Sequence, residues 1–237
     1  MKNCLFCHGD VSSSFGWSAF LGLQKHNPVC EECESAFQKI TGELCRICGR
    51  EWAIVAPENR RDDLCSDCFK WEEDPSTAGL LQQNRSVYHY NNHMKEVLSR
   101  YKFRGDAVLV QVFQKAFRQT FEAVWNKESP ILVPIPLSAE RKYDRGFNQS
   151  LLLAELLPGT PEELLSKTIS EKQSKKARKE RLERENTFYV TYPELVKDKS
   201  ILLIDDIYTT GTTVRMAAKV LKDAGAKDIS SYTLVRS

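Results

Sequence analysis

The chain has 237 residues, 41% hydrophobic and 28% charged, enough apolar content for one medium globular domain with a small one beside it, or for two small ones. No apolar run approaches the ~18 residues of a spanning helix, and Cys4, Cys7 and His8 stand where a signal peptide would need an apolar stretch, so a cytoplasmic protein is expected. The formal net charge of +2 hides an asymmetry: residues 1–74 hold 8 Lys/Arg and 13 Asp/Glu, a net of −5, and the remainder carries +7, which directs an anionic partner to the C-terminal part.

All eight cysteines lie in the first third, as four C-x-x-C pairs: Cys4/Cys7, Cys30/Cys33, Cys45/Cys48 and Cys65/Cys68. Two thiolates on a tight turn hold half of a tetrahedral metal shell, and two such knuckles complete a Cys4 zinc site. Residues 1–74 are therefore expected to form a module with two structural Zn²⁺ ions. Sequential pairing of the knuckles is favoured because it closes shorter loops than crossed pairing, but the difference is under ~1 kcal/mol, so crossed pairing stays open at this point. Disulfides fit badly with a cytoplasmic chain, and four repeated knuckles favour metal over redox chemistry. Closed Cys4 sites leave no open coordination position, and each with Zn²⁺ carries a formal −2 charge. The module is thus a poor nucleic-acid surface.

Residues 71–83 (WEEDPSTAGLLQQ) read as a boundary, with a second domain over 84–237. Residues 86–90 alternate as a short strand. Met94, Val97, Leu98 and Tyr101 fall at helical spacing, and Gly105 stops that helix. Residues 108–125 repeat the pattern with an apolar, aromatic stripe that reads as core. ILVPI at 131–135 is a buried parallel strand, a helix follows over about 147–157, and ILLI at 201–204 is a second buried strand. A helix over 212–224 ended by Gly225 and a last strand over 229–235 complete an alternation of strands and helices, which means an α/β fold with a parallel sheet.

Three segments carry chemistry. After strand 131–135, Arg141 and Arg145 sit four residues apart, so a helix or turn brings both guanidinium forks to one side, where they suit phosphate oxygens. Residues 166–186 hold 8 Lys/Arg against 4 Asp/Glu, among them Lys175, Lys176, Arg178, Lys179, Arg181 and Arg184, with Gln173 beside them. A long charged connection of this kind reads as a lid. Finally, strand 201–204 runs into Asp205 and Asp206, and Thr209, Thr210, Gly211, Thr212 and Thr213 open the next helix. Adjacent acids suit the hydroxyls of a sugar diol, and a Thr/Gly loop at a helix N-terminus offers N–H and O–H donors to a phosphate. The spacing describes a ribose 5-phosphate. It is not a nucleotide-binding P-loop, since no Gly-Lys-Ser/Thr is present.

This last block resembles the phosphoribosyl-pyrophosphate (PRPP) signature of type I phosphoribosyltransferases. That resemblance implies PRPP bound with Mg²⁺ by Asp205, Asp206 and residues 209–213, a pyrophosphate loop carrying Arg141 and Arg145, and a flexible loop containing Gln173, Lys175, Arg178 and Arg181 that closes over the site. V-P-I-P-L-x3-R-x3-R-G-F-N-Q-S over 133–150, YNNHMKEVLSRYKFRGD over 90–106, the segment from Gln173 to Phe188 and the four knuckles together are similar to the ComF family, with its GntX-like relatives. The family resemblance implies a role in natural transformation, assisting entry of single-stranded DNA, with a competence helicase and the membrane uptake machinery as partners. Two other readings stand beside it: an active transferase moving ribose 5-phosphate from PRPP to an unknown acceptor, and an inactive fold used as a scaffold. No base-recognition element is legible, and no catalytic residue is assigned.

Overall fold

In a computed structural model, residues 3–11, 28–103, 106–126, 129–167 and 187–237 are described. The first part contains α1 (Glu31–Ser35), a hairpin of β1 (Arg60–Arg61) and β2 (Leu64–Cys65), and α2 (Ser66–Glu73). There follow β3 (Asn84–His89), α3 (Asn92–Phe103), α4 (Val110–Trp125) and β4 (Ile131–Pro134). Two short helices come next, α5 (Ala139–Arg145) and α6 (Gln149–Ala154), then β5 (Leu165–Lys167), β6 (Phe188–Val190) and α7 (Pro193–Val196). The chain closes with β7 (Ser200–Tyr208), α8 (Thr212–Asp223) and β8 (Asp228–Arg236).

The main sheet has the order β3-β8-β7-β4, every neighbouring pair parallel. Because β7 is central, both of its faces must be covered, and Ile201, Leu202, Leu203 and Ile204 are all buried. The period-two alternation of a strand sorts them. Leu202 and Ile204 pack with α3, α4 and α6, while Ile201 and Leu203 pack with Val214, Ala217, Ala218 and Leu221 of α8. The stripe on α4 is core as expected: Phe117 stacks on Tyr232 of β8 with ring centroids 4.3 Å apart, and the Tyr232 hydroxyl donates to the Phe117 carbonyl at 2.6 Å. Arg118 and Glu122, on the opposite face, pair in solvent.

The cysteine-bearing part is not appended at a distance. Residues 38–40 run antiparallel beside β3, with Ile40 N–H donating to Val87 O and His89 N–H to Gln38 O, both at 2.9 Å. This covers an edge that would otherwise expose unpaired peptide groups. Cys4 and Cys33 share the core of α3 and α4, whereas Cys45, Cys48, Cys65 and Cys68 share that of α8. The two groups therefore bracket the sheet, one on each face.

Strand β7 is longer than the ILLI run. It continues through both acids to Tyr208, because β8 runs alongside as far as Arg236 and takes up the peptide groups. The helix expected over 147–157 is regular only from Gln149 to Ala154, since Asn148 caps it by accepting from Ser150 N–H at 3.1 Å. The helix expected from residue 108 is preceded by a short 3-10 turn, Ala107–Leu109. The antiparallel ribbon of β5 and β6, at the root of segment 168–186, had no clear alternation to announce it.

Candidate functional site

The site lies at the carboxyl ends of β4 and β7, where an open parallel sheet offers its helix N-termini and loops to a ligand. Asp205 and Asp206 stand near the end of β7 and are held differently. The Asp205 Oδ1 accepts from Ser150 Oγ at 3.0 Å and from the Asp206 backbone N–H at 2.9 Å. Asp206 Oδ2 pairs with Lys102 Nζ of α3 at 2.6 Å, both side chains largely buried. Burial pushes the Asp205 carboxyl from its ordinary 3.8 up to about 7, the Asp206 charge adding to the push while Ser150 and Lys102 oppose it. Two like charges side by side are thus accommodated by giving one a cation and raising the other toward neutrality.

The loop after β7 is shaped by Gly211, whose φ of 80° lies in the left-handed region. A Cβ at Gly211 would collide with the Tyr208 hydroxyl and the Arg215 guanidinium, so only glycine lets the chain turn this closely onto them. The turn leaves Thr209, Thr210 and Thr213 exposed and Thr212 half-buried at the start of α8. Thr210 and Thr212 share a hydroxyl–hydroxyl hydrogen bond at 2.9 Å, and Arg215 N–H donates to Gly211 O to begin the helix. The threonine hydroxyls and the positive end of a 12-residue helix thus meet at one turn, which suits a phosphate.

Opposite, Arg141 and Arg145 lie on α5. Ser138 caps it by accepting from Arg141 N–H, and Gly146 ends it with φ 76°. Arg145 donates to Gln149 Oε1 at 2.9 Å, which ties α5 to α6, and Asn148 donates to Ile135 O at 3.1 Å, which ties both to the end of β4. Arg141 reaches the same space as Asp205: both act electrostatically on Lys167, whose ammonium is shifted down by burial with Arg141 adding to it and Asp205 opposing. The structure thereby gathers Asp205, Asp206, residues 209–213 and the Arg141/Arg145 helix at one end of the sheet. Gln173, Lys175, Arg178 and Arg181 lie outside the described residues. A separate cavity of about 730 Å³ opens between Trp125, Ile131 and Glu194, at the other end of β4, far from these groups.

Three residues of the site were not singled out by the sequence reading. Lys102 and Ser150 fall inside the segments 90–106 and 133–150 that resemble the ComF family, but no role beside the acids follows from either, and Lys167 falls inside the charged run. Their roles depend on elements 50 residues or more from the acids in sequence, or on the fold of the ribbon, and no local pattern shows that.

The cysteines pair sequentially. The thiols of Cys4, Cys7, Cys30 and Cys33 lie within 4.8 Å of one another, as do those of Cys45, Cys48, Cys65 and Cys68. The Sγ atoms of Cys7 and Cys30, and of Cys48 and Cys65, are 3.6 Å apart. Ligands at ~2.3 Å from a tetrahedral ion stand about 3.8 Å from each other, so both donor sets fit a metal ion. The second group is wholly buried and surrounded by cations, with Arg236 Nη2 at 3.8 Å from Cys48 Sγ and Arg50 and Arg85 in electrostatic reach.

This arrangement defines a phosphoribosyltransferase-fold protein with two Cys4 centres built onto its sheet, and residues 153–237 match the phosphoribosyl transferase domain family. The chain is 44% identical over 235 residues to Competence protein ComFC of Bacillus subtilis (strain 168), covering 99% of this chain and 95% of that one. It is 36% identical over 234 residues to Competence protein ComFC of Streptococcus pneumoniae (98% and 99% covered), and 30% identical over 227 residues to DNA utilization protein YhgH of Salmonella typhimurium (90% and 92% covered). The chain belongs to the ComF family of competence proteins. Among the described residues no helix is long and apolar enough to cross a membrane.

Proposed function

We propose that this protein assists the handling of incoming single-stranded DNA in natural transformation, and that its phosphoribosyltransferase domain binds PRPP or a related phosphorylated ribose. Full-length similarity to proteins named for competence supports the first part. The observation that carries the second is the placement of Asp205 and Asp206 beside the Gly211 turn, at the end of the sheet that also carries Arg141. In this reading the ribose hydroxyls meet the two acids, the 5-phosphate meets residues 209–213, and the pyrophosphate meets Arg141 and Arg145. Mg²⁺ bound with PRPP would supply charge neutralisation for its phosphates, with Asp205 and Asp206 as the acids nearest to it. Gln173, Lys175, Arg178 and Arg181 close over the cleft, adding positive charge. Zn²⁺ occupies both Cys4 centres. Single-stranded DNA is the partner of the +7 C-terminal part, a competence helicase and the membrane uptake machinery are further partners of the protein, and the protein works in the cytoplasm.

The ion pair at Asp206 favours binding as the primary role of the site. Lys102 already engages one carboxylate oxygen of Asp206, which makes Asp206 a positioned acceptor rather than a free base. Calorimetric titration with PRPP and Mg²⁺ tests the site. The wild type should bind, and Asp206→Asn should weaken binding by at least tenfold, because a charge-assisted hydrogen bond contributes about 1.5–3 kcal/mol. Unchanged affinity in the variant would remove Asp206 from the site.

A further inference from the structure

The second Cys4 centre and the phosphate turn are joined by two chains of side chains. In the first, Cys68 lies in α2 and Trp71 follows one turn later. The indole Nε1–H of Trp71 donates to the carbonyl of Thr210 at 3.2 Å, and the Arg215 guanidinium lies 4.7 Å from the indole ring centre. In the second, Arg236 reaches Cys48 Sγ with Nη2, donates Nη1 to the Tyr208 carbonyl at 3.3 Å, and lies 5.0 Å from the Tyr208 ring. The Tyr208 hydroxyl accepts from Arg215 Nη1 at 2.9 Å, directly beneath Gly211. Both arginines are nearly inaccessible, 2% exposed for Arg215 and 4% for Arg236. Neither has a full set of acceptors: among the described residues, Arg215 Nε and Nη2 and Arg236 Nε have no hydrogen-bond partner. Buried cations this poorly bonded need a nearby negative charge, and a metal–tetrathiolate centre with a formal −2 supplies one.

We propose that the Cys45/Cys48/Cys65/Cys68 centre is a structural part of the phosphate turn, with Trp71 and Arg236 as positioning residues that carry its metal-fixed geometry into residues 208–213. The turn has few other supports among the described residues. Tyr208 O also accepts from Ser237 N–H at 3.0 Å, but Thr209, Thr210 and Thr213 are exposed, and the hydrogen bonds within residues 209–213 are the Thr210–Thr212 contacts and the start of α8. Residues 209–213 carry no apolar side chain to bury, so beyond the buried Tyr208 their shape is held by what their backbone is tied to. Here one of those ties is an indole delivered by a metal-clamped helix. Linkage then runs both ways: an occupied centre favours a formed turn, and a phosphate on the turn slows metal loss from this centre. The first group, Cys4, Cys7, Cys30 and Cys33, packs on the other face of the sheet and serves as the internal control. The positioning role stands on these contacts alone, and only the choice of ribose 5-phosphate as probe rests on the PRPP reading.

The test uses the full-length, zinc-loaded chain. Hydrogen–deuterium exchange of a peptide spanning 208–215 is compared in wild type, Trp71→Phe and Arg236→Gln, with zinc content and thermal midpoint measured on each. Trp71→Phe keeps an aromatic ring beside Arg215 and deletes the donor to Thr210. The turn amides should exchange about fivefold faster in this variant, with two zinc ions and a near-wild-type midpoint. In a second measurement, ribose 5-phosphate should slow zinc transfer to a chelating dye for one of the two ions in wild type, and much less so in Trp71→Phe. Turn exchange at the wild-type rate in a fully metallated Trp71→Phe overturns the proposal, whatever Arg236→Gln does. Faster exchange in that variant, with ribose 5-phosphate neither binding nor protecting zinc in wild type, supports the positioning role and instead overturns the phosphate assignment.

Discussion

At the scale of residues, the acid pair is where electrostatics is most finely balanced. The Asp205 carboxyl titrates near 7 rather than 3.8. Between about pH 4 and pH 7 the folded chain therefore holds a proton that the unfolded chain has released. Stability from this group is present below the unfolded value and lost as pH rises through the folded one, by at most about 1.4 kcal/mol per pH unit. Asp205→Asn should flatten that decline. Lys102 opposes the shift, so Lys102→Met raises the Asp205 value further and extends the decline to higher pH. Urea unfolding at pH 5 and pH 8 checks this: the gap in stability between wild type and Lys102→Met should be wider at pH 8. Equal gaps would mean that Lys102 does not set the charge of Asp205. Such a balance could not be read from the adjacency of two aspartates. Sequence placed the acids side by side, but did not show which one would receive a lysine from α3 and which a serine from α6.

At the scale of elements, α4 shows how directly a pattern becomes a core. Phe113, Phe117, Phe121 and Trp125 recur at helical spacing, and all four are buried against β3 and β8. Phe117→Ala should cost about 3–5 kcal/mol by loss of transfer energy and a residual cavity, lowering the thermal midpoint by roughly 10 °C. Tyr143→Ala, at a side chain 90% exposed on α5, should leave the midpoint unchanged. A loss below ~1 kcal/mol at Phe117 would mean that the α4 face can repack. The long periodic helices and the ILVPI and ILLI strands were legible because burial on a sheet forces one apolar stripe or one continuous apolar run. The ribbon of β5 and β6 was not. Its six residues carry Lys167 and Tyr189 beside Leu165 and Phe188, too short a mixture for periodicity to register.

At the scale of the whole molecule, the charge asymmetry and the packing of the cysteine part pull on the same question, where DNA would bind. Deleting residues 1–74 is not a clean test, because Cys45, Cys48, Leu64, Cys65 and Cys68 share a core with Leu203, Val214 and Leu221. Charge substitution leaves that core intact. Neutralising Lys175, Lys176, Arg178 and Lys179 to glutamine should weaken single-stranded DNA binding. It should also flatten the plot of log affinity against log salt by up to about 3, at roughly 0.7 for each phosphate that is no longer neutralised. Retention of the wild-type slope would place the DNA surface elsewhere.

What the sequence determined by itself was local or periodic: four knuckles able to hold metal, an alternation of strands and helices, and an acid pair followed by a phosphate-shaped turn. Each single knuckle, each strand or helix and the acid-and-turn block is encoded by residues within about 20 positions of one another, so spacing alone constrains its geometry. The tertiary structure decided which knuckles pair, that the two centres sit on opposite faces of the sheet, and that Lys102, Ser150 and Trp71 reach the site from distant segments. Sequential and crossed pairing differ by less than ~1 kcal/mol in loop closure, so chain entropy could not choose between them. The choice fell to packing: once β3 forms, one knuckle pair lies on each side of it, and the sheet keeps the two thiol groups apart.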